Sequence, residues 1–348
     1  MVNQVTVGII GAGRIGRLHA DNLRVLPSYK IKSISEAFMT EELVAWAESR
    51  GLGAAFTDGE AILNDPEIDA VFICTPTDTH ASWIERAARA GKHIFCEKPI
   101  SMSSEETSRA LQTAKEAGVL LQVGFNRRMD PNFRKLKQLV QAGELGRPHI
   151  VKITSRDPQP PGEAYVRSSG GMFMDMTIHD FDMARYLVGE EVAEVYTRGA
   201  NLIDPMFGRC DDVDTAVITL TFTNGAICVI DNSRQAVYGY DQRVEVFGSQ
   251  GAATADNCRP TTVEVSTASS VTRDQPLHFF LERYNQAFTD EVAAFAQSII
   301  LQEPAVCSGY DGQQAQLIAE AALESHRTGL PVKLKVLAGG ERPEIEVL

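Results

Sequence analysis

Residues 170–187 combine acidic, imidazole and aromatic side chains at helical spacing. If this segment is helical from its sixth residue onward, four polar side chains fall on one narrow stripe, namely Asp175, His179, Asp182 and Tyr186. Apolar residues cover most of the remaining helix surface, and a buried carboxylate or imidazole must be paired or must face a cavity. The stripe therefore predicts one wall of a binding site. The alternative is a core histidine satisfied by a local aspartate.

A lysine at the end of a predicted strand is the second candidate for chemistry. Lys98 follows the apolar run 93–96 and stands between Glu97 and Pro99. Proline disfavours helical geometry in the residue before it, so Pro99 biases Lys98 toward an extended backbone. Ligands of parallel sheets bind beyond the carboxyl ends of the strands. This position predicts a functional role for Lys98, and the alternative is a solvated surface charge.

A glycine-rich loop near the N-terminus indicates where a nucleotide would bind. The apolar run 5–10 leads directly into the pattern G-x-G-x-x-G, and a helical stretch follows to about Leu26. The first glycine permits a tight turn, the second lets a pyrophosphate approach the backbone, and the third lets the helix pack on the strand. The predicted cofactor-binding residues of this loop are Gly11, Gly13, Arg14, Ile15 and Gly16.

An acidic residue at the end of the second predicted strand indicates which nucleotide fits. Residues 31–35 form that strand, and Glu36 follows, twenty residues past Gly16. A carboxylate there accepts hydrogen bonds from the adenosine ribose hydroxyls and repels a 2'-phosphate. Glu36 therefore predicts NAD rather than NADP, and a surface glutamate is the alternative.

Strands and helices alternate through the first 124 residues, which predicts a doubly wound parallel sheet and an α/β fold class. The predicted elements include a helix over 40–50, a short strand near 55–56 and a helix over 103–117. Three polar residues lie at or just past strand ends of this sheet and are predicted to face its ligand: Thr75, His80 and Glu97.

The pattern changes after residue 124. A helix capped by Asp130 is followed by strand-like segments, with a hairpin signal at Asn224-Gly225. The strand-like segments are 150–154, 213–222, 226–231, 242–247, 252–255 and 262–266, and the helical ones are 288–301 and 313–326. We predict an α+β domain with a mostly antiparallel open sheet over 125–338, followed by a polar tail over 339–348.

Composition is typical of a soluble globular protein with two domains. The 348 residues exceed what one hydrophobic core usually serves, and 44% of them are apolar. The formal net charge of -13 opposes binding to nucleic acid or to an anionic membrane. The six cysteines are far apart, which is typical of reduced core residues in a cytoplasmic protein. No basic leader precedes the first apolar run and no apolar span suggests a membrane helix, so we expect neither a signal peptide nor a spanning segment.

Together these features resemble the family of glucose-fructose oxidoreductases, inositol dehydrogenases and rhizopine-catabolism oxidoreductases over nearly the whole chain. The residues that carry the resemblance are 11–19, Thr75-Pro76 with His80, Glu97-Lys98-Pro99, and Asp175 with His179. The segments most similar to bacterial inositol 2-dehydrogenases are 124–128, 154–158 and 175–185. Glu36 departs from the family pattern, in which an aspartate is more usual.

The resemblance implies a Rossmann domain that binds NAD over 1–124 and a substrate-binding and oligomerisation domain over 125–338, in a homotetramer. It adds Pro76 to the predicted cofactor contacts, and Arg127 and Asp157 to the predicted polyol pocket. It also implies that three residues form the catalytic group and contact the substrate: Lys98, Asp175 and His179. The implied reaction is the NAD-dependent oxidation of myo-inositol to 2-keto-myo-inositol (scyllo-inosose) by an inositol 2-dehydrogenase.

The chemistry of these side chains fits the oxidation of a secondary alcohol, which needs a hydride acceptor and a base for the hydroxyl proton. We hypothesise that His179 takes the proton, because imidazole titrates near neutrality, and that Lys98 stabilises the developing alkoxide. Asp175 then orients His179 or holds a neighbouring hydroxyl. This scheme needs no metal, since Lys98 supplies the positive charge.

Two alternatives stay open. The same fold and catalytic group would serve scyllo-inositol, glucose or another polyol, because epimer preference depends on small displacements of several hydroxyl partners. A non-catalytic NAD-binding regulator would retain the glycine loop and Glu36 without needing the three catalytic candidates. The joint presence of those three residues favours the enzyme.

Overall fold

A computed structural model describes residues 4–52, 58–335 and 344–347. The chain forms two compact units: unit 1 contains residues 1–126 and 286–313, and unit 2 contains residues 127–285 and 314–348. The two units are described separately below.

Unit 1 includes a segment that the sequence analysis assigned to the second domain, whose predicted limits were 125 and 338. The helix Asn285–Leu301 contributes Val292 and Phe295 to the hydrophobic core of unit 1. The ring of Phe295 meets the ring of Phe72 edge-on, with 5.7 Å between centroids. Contacts between residues so distant in sequence leave no local signal, which is why the predicted boundary missed them.

A five-stranded parallel sheet with the order β2-β1-β3-β4-β5 forms the centre of unit 1. Its strands are β1 (Val5–Ile10), β2 (Tyr29–Ser35), β3 (Ala70–Ile73), β4 (His93–Glu97) and β5 (Leu121–Gly124). All four residues of β3 are buried, as expected for a strand covered on both faces. The predicted doubly wound sheet is confirmed, while the predicted strand near 55–56 lies outside the described residues.

Two helices of unit 1 begin directly after residues whose side chains cap them, namely Thr40 and Ser103. Ser103 and Thr40 each accept a hydrogen bond from a backbone N–H of the helix that follows, as the capping preference of these residue types predicts. The helices in the first segment of unit 1 are α1 (Arg14–Val25), α2 (Glu41–Ser49), α3 (Gly59–Asn64), α4 (His80–Arg89) and α5 (Ser104–Ala117).

An eight-stranded sheet with the order β11-β10-β6-β9-β8-β7-β14-β15 forms the centre of unit 2. Its strands are β6 (Pro148–Arg156), β7 (Val192–Ala200), β8 (Thr215–Phe222), β9 (Ile227–Ser233), β10 (Asp241–Gly248), β11 (Ala252–Ala255), β14 (Val332–Lys335) and β15 (Glu344–Val347). Among the described pairs, β6 and β9 run parallel and the others run antiparallel. The predicted, mostly antiparallel sheet and its β8–β9 hairpin are confirmed.

Two segments of unit 2 differ from the prediction. The predicted strand over 262–266 does not continue the meander, because β12 (Glu264–Ser266) pairs with β13 (Val271–Arg273) in a separate hairpin whose strands are exposed. Within the predicted tail over 339–348, the described residues form β15, which pairs with β14 as the edge strand of the large sheet.

The helices of unit 2 include the segment with which the sequence analysis began. They are α6 (Pro131–Gln141), α7 (Glu163–Ser168), α8 (Ile178–Val188), α9 (Met206–Arg209) and α10 (Phe280–Arg283). A π-helical turn, Phe173–Thr177, precedes α8 directly. The next helix, α11 (Asn285–Leu301), is the one described above in the core of unit 1, and α12 (Gly309–Thr328) follows it. The apolar side of α8 lies against β6 and α6, so the residues at its start are held by the core of unit 2.

No helix in the described ranges is long and apolar enough to cross a membrane. All six cysteines are free thiols, and three of them, Cys96, Cys228 and Cys307, are buried.

Candidate functional site

The glycine loop of unit 1 is packed so closely that two of its positions exclude any side chain. A Cβ on Gly11, whose φ is +95°, would lie 2.7 Å from backbone atoms of Cys74 and Thr75. A Cβ on Gly16 would lie 2.0 Å from the carbonyl oxygen of Gly11. These contacts confirm the turn and packing roles that the sequence analysis assigned to the first and third glycines.

Gly13 differs from the other two glycines because it faces open space. It is the N-cap of α1, and a Cβ on it would meet no atom within 4 Å. Arg14 and Ile15 are the first two residues of α1, where backbone N–H groups point out of the helix end and favour an anion. The loop therefore fits a dinucleotide pyrophosphate.

Glu36 is anchored to this loop. One carboxylate oxygen, Oε2, accepts a hydrogen bond from the backbone N–H of Ala12 at 2.7 Å. The other, Oε1, accepts one from the backbone N–H of Phe38 at 3.2 Å. Each carboxylate oxygen has two lone pairs, so Glu36 retains acceptor capacity for ribose hydroxyls while it holds the loop in place.

The residues after β3 form a turn that hydrogen bonds of His80 stabilise. Its ring is 1% exposed, with Nε2 2.8 Å from the carbonyl oxygen of Thr75 and Nδ1 2.8 Å from that of Pro99. The hydroxyl of Thr79 donates a hydrogen bond to the hydroxyl oxygen of Thr75, and Pro76 is exposed. His80 thus lies in the interior and links two loops at the carboxyl edge of the sheet.

Lys98 comes directly after β4 and is half-buried. The peptide bond between Lys98 and Pro99 is cis. The carbonyl of Pro99 is held by His80, so the turn that carries Lys98 is attached to the loop after β3. Within unit 1, the predicted strand-end residues Thr75, His80 and Lys98 are therefore part of one connected edge.

Glu97 lies next to Lys98 in sequence but joins a buried cluster. Its Oε1 is 2.6 Å from Nε2 of His19, which has no exposed surface. Glu291, on α11, is 2% exposed, and its Oε1 has no hydrogen-bond partner among the described residues. Burial and the neighbouring Glu97 raise the pKa of Glu291 well above its usual range.

This cluster offers three ligand atoms within 4.8 Å of one another, one each from His19, Glu97 and Glu291. Two ligands of a tetrahedral zinc ion lie about 3.3 Å apart, since each bond is about 2.0 Å long. The 2.6 Å between His19 and Glu97 is shorter than that and is a hydrogen-bond distance. We interpret the three groups as a polar cluster held by the hydrogen bond between His19 and Glu97.

In unit 2, Asp175 lies in the π-helical turn and accepts two hydrogen bonds. Tyr165 donates to Oδ1 at 2.8 Å, and Nη1 of Arg234 donates to Oδ2 at 3.1 Å. His179 follows as the second residue of α8 and is half-buried. Asp175 and His179 are thus held at the start of the same helical segment, as the sequence predicts.

The other two residues of the predicted stripe, Asp182 and Tyr186, both contact Arg128. Asp182 is buried and pairs with Arg128, with 2.6 Å between Oδ1 and Nη2. The guanidinium of Arg128 also lies over the ring of Tyr186. His179, Asp182 and Tyr186 keep α-helical spacing within α8 and share one of its faces, whereas Asp175 lies in the π-helical turn, whose hydrogen bonds span five residues. The continuous wall stays a prediction.

Arg127 is enclosed by partners from unit 2. Its Nη1 donates to Oδ1 of Asp180 at 2.6 Å, and its Nη2 lies 3.4 Å from the hydroxyl of Tyr240. Asn232 donates to the other oxygen of Asp180 at 2.9 Å. Burial opposes its charge, but neighbouring tyrosine and aspartate side chains hold the pKa of Arg127 above its usual range. These contacts place Arg127 in a buried network, and its charge also acts to lower the pKa of Asp157.

Asp157 follows β6 and shares a partner with Asp175. Nη1 of Arg234 lies 3.5 Å from Oδ2 of Asp157, in addition to its contact with Asp175. Burial raises the pKa of Asp157, the nearby Asp175 adds to that shift, and Arg234 opposes it. The structure therefore brings together two of the predicted substrate-binding residues of unit 2.

Sequence reasoning missed Arg234 and Tyr165. Arg234 comes directly after β9, and Tyr165 is in the short helix α7. Neither residue has the spacing of a motif. A buried cation among aspartates is found only from tertiary contacts.

The arrangement supplies the parts that alcohol oxidation needs within the two units. Unit 1 provides a loop for a dinucleotide pyrophosphate, a carboxylate suited to a ribose and a half-buried lysine. Unit 2 provides two carboxylates on one guanidinium, and an imidazole close in sequence to one of them. Carboxylates of this kind accept hydrogen bonds from hydroxyl groups, which suits a polyol.

Two family models match the chain. The model described as an oxidoreductase family with an NAD-binding Rossmann fold matches residues 5–125, and the GFO/IDH/MocA C-terminal domain matches residues 133–254. The matched segments agree with the predicted fold class and with the cofactor predicted from the glycine loop.

Known proteins match over nearly the full length. The chain is 57% identical to the uncharacterised oxidoreductase YrbE of Bacillus subtilis, over 96% of this chain and 98% of that protein. It is 46% identical to the myo-inositol 2-dehydrogenase of Thermotoga maritima, over 96% of this chain and 99% of that protein. The crystal structure of scyllo-inositol dehydrogenase from Lactobacillus casei, with bound NAD(H) and scyllo-inositol, has a TM-score of 0.85 at 30% identity and covers 95% of this chain and 99% of that one.

The buried cluster around Glu291 makes a prediction for the pH dependence of stability. When the pKa of a carboxyl is raised in the folded state, the free energy of unfolding of the protein falls as the pH rises from the unfolded-state pKa, about 4.3, toward the raised pKa. Glu291→Gln cannot ionise, so its free energy of unfolding should gain on the wild type by up to about 1.4 kcal/mol per pH unit in that window. Urea unfolding between pH 4 and 8 measures this.

The control for this experiment is Glu303→Gln, which changes an exposed glutamate of the same unit. Its unfolding curve should follow the wild type at every pH. A Glu291→Gln curve parallel to that of the wild type would contradict the buried, protonated state of Glu291.

Proposed function

Because the chain belongs to the GFO/IDH/MocA oxidoreductase family, with an NAD-binding Rossmann domain, we propose that it is an inositol 2-dehydrogenase that oxidises myo-inositol to 2-keto-myo-inositol with NAD. The observation that carries the proposal is the near full-length identity to a myo-inositol 2-dehydrogenase. The pair of carboxylates held by Arg234 supports a substrate with several hydroxyl groups.

The proposed mechanism divides the reaction among three side chains. Bound NAD supplies the acceptor for the hydride. The imidazole of His179 accepts the hydroxyl proton as the hydride leaves the carbon, and the ammonium of Lys98 donates a hydrogen bond to the developing alkoxide oxygen. Asp175 accepts a hydrogen bond from a neighbouring hydroxyl, since Tyr165 and Arg234 hold its carboxylate in place.

The cofactor contacts in this proposal are those of unit 1. The loop residues Gly11, Gly13, Arg14, Ile15 and Gly16 hold the pyrophosphate, and Glu36 accepts from the ribose. Thr75 and Pro76 line the edge of the sheet beside the cofactor, while His80 and Glu97 act from the interior by holding that edge and the turn of Lys98. In unit 2, Asp157 contacts the polyol and Arg127 supports it through the buried network.

A second candidate substrate is scyllo-inositol, the epimer bound by the related Lactobacillus casei enzyme. A close fold does not set epimer preference, because the epimers differ in the direction of one hydroxyl group. The experiment that separates them is NADH formation followed at 340 nm, with NAD and with NADP, across myo-inositol, scyllo-inositol, D-chiro-inositol and glucose. The proposal expects the highest rate with myo-inositol and NAD. Binding of NAD with no turnover of any polyol would favour a non-catalytic regulator.

The catalytic roles predict a separation between turnover and cofactor binding. Lys98→Met and His179→Ala should each lower kcat by about 10²- to 10⁴-fold, because each removes a group that acts on the reacting hydroxyl. The dissociation constant for NAD, measured by fluorescence titration, should stay within a few-fold of the wild type. The matched controls are Lys115→Met and His278→Ala, which change exposed residues and should leave kcat unchanged. Wild-type kcat in either catalytic variant would remove that residue from the mechanism.

The carboxylate of Glu36 predicts the cofactor preference. Glu36→Gln removes the charge that repels a 2'-phosphate, so kcat/KM with NADP should rise relative to kcat/KM with NAD by at least tenfold. The side-chain amide of this variant still offers an oxygen to the N–H of Ala12, which preserves the loop. Glu48→Gln changes an exposed glutamate of α2 and serves as the control. An unchanged ratio would place the ribose contact on another residue.

We also propose that the protein is a cytoplasmic homotetramer. The six free cysteines support a reducing compartment. One face of the large sheet in unit 2 carries exposed apolar side chains on β8, β9 and β10, namely Val217, Ile227 and Phe247, and such a face is a common route to association. Light scattering of the purified protein should give four times the chain mass of 38.0 kDa, and the mass of a single chain would contradict the proposal.

A further inference from the structure

Arg234 is a buried cation that joins two carboxylates from separate parts of unit 2. Its side chain is 3% exposed, and its Nη1 lies 3.1 Å from Oδ2 of Asp175 and 3.5 Å from Oδ2 of Asp157. Asp157 follows β6, and Asp175 is in the π-helical turn before α8. One nitrogen atom therefore limits the distance between the Oδ2 atoms of Asp157 and Asp175, because that distance cannot exceed the sum of their two distances to Nη1.

Stability alone does not explain this arginine. Its Nε and Nη2 are buried and have no hydrogen-bond partner among the described residues. Buried donors without partners cost free energy, and replacement of buried ion pairs by apolar side chains is often neutral or stabilising. A buried arginine with two unsatisfied donors is therefore better explained by what it does to the two carboxylates.

Several other groups face the Arg234 cluster, and they set its charge balance. Tyr165 donates to Asp175, while Arg127 and Tyr240 face Asp157. Asp212 adds a third carboxylate near Arg234, and its Oδ1 accepts from the N–H of Met172. Burial disfavours the charge of Arg234, but the three aspartates together hold its pKa above the usual range. Without Arg234, the carboxylates of Asp157, Asp175 and Asp212 would face one another, and Arg127 would be the remaining cation near Asp157.

We propose that Arg234 is a positioning residue for the polyol, which holds Asp157 and Asp175 at a fixed separation so that each accepts a hydrogen bond from a different hydroxyl of one ring. This inference rests on the proposed function. The fixed separation makes Arg234 a determinant of which epimer binds, although it does not contact the reacting carbon. Its charge also opposes the rise in the pKa of Asp157 that burial causes.

Arginine and lysine would act differently at this position. A guanidinium is planar and the two N–H groups on its Nη1 have fixed directions, whereas an ammonium is a point charge on a flexible stem. Arg234→Lys therefore keeps the charge and loses the geometry, and Arg234→Gln loses both. The two variants separate the electrostatic role from the spacing role.

The first experiment measures kcat and KM for myo-inositol and scyllo-inositol as a function of pH in the wild type, Arg234→Lys and Arg234→Gln. Arg234→Gln should lower kcat/KM at least 100-fold, and the acid limb of its pH profile should move to higher pH by about one unit, since both carboxylates lose a cationic partner. Arg234→Lys should keep the wild-type acid limb but change the ratio of kcat/KM between the two epimers at least tenfold. The control is Arg273→Gln, which changes an exposed arginine of β13.

The second experiment needs no substrate, so it separates this inference from the proposed function. The melting temperature of Arg234→Gln should fall further below that of the wild type as pH rises from 4 to 7, because two half-buried carboxylates then ionise without their cation. The double variant Arg234→Gln with Asp157→Asn removes one of these charges and should recover part of that loss.

The outcomes distinguish the two proposals. If the wild type oxidises no cyclic polyol with NAD, the proposed function fails, and the pH dependence of melting then decides whether Arg234 holds the two carboxylates. If the wild type is active but Arg234→Gln keeps its acid limb and its epimer ratio, the inference is overturned. A melting difference that is constant with pH overturns it as well.

Discussion

Charge pairing in a buried environment is the constraint on which the structure of unit 2 depends. Five of its arginines are buried: Arg127, Arg128, Arg185, Arg234 and Arg283. Each of them has a carboxylate partner, because an uncompensated buried charge costs several kcal/mol. The requirement fixes the positions of the acidic residues on the π-helical turn and on α8. Asp175, a proposed catalytic residue, has its geometry set in the same way as the structural pairs.

Unit 1 positions its functional groups by close backbone packing. Gly11 and Gly16 allow β1, α1 and the loop after β3 to approach within distances that no side chain would permit. The backbone N–H of Ala12 in this loop donates to Glu36, so the carboxylate that we propose to select the cofactor also stabilises the turn that we propose to bind the pyrophosphate. Glycines position the groups of unit 1, and charge pairs position those of unit 2. The proposed mechanism needs no bound metal in either unit.

The acidic groups next to the proposed chemistry are of two kinds. Glu97 and Glu291 lie in the interior of unit 1 with His19, where burial favours the protonated carboxyl of Glu291. Asp157 and Asp175 lie beside the guanidinium of Arg234, which opposes the rise in the pKa of Asp157 that burial causes. A buried polar cluster suits the support of the turn that carries Lys98, whereas carboxylates held by a cation suit the binding of hydroxyl groups. The environment of each carboxylate therefore matches the part that we propose for it.

The sequence by itself determined the parallel sheet, the glycine loop, the acidic residue after β2 and the antiparallel sheet of the second unit. These features depend on local periodicity and on residue types with strong backbone preferences, which are visible without tertiary contacts. It also placed Asp175 and His179 at the start of one helical segment. Only the tertiary structure decided that α11 belongs to unit 1, that a π-helical turn separates Asp175 from the register of Asp182, and that Arg234 joins Asp157 to Asp175. Those three results depend on contacts between residues far apart in the chain, or on a shift of one residue in a helical turn, and neither leaves a periodic signal in the sequence.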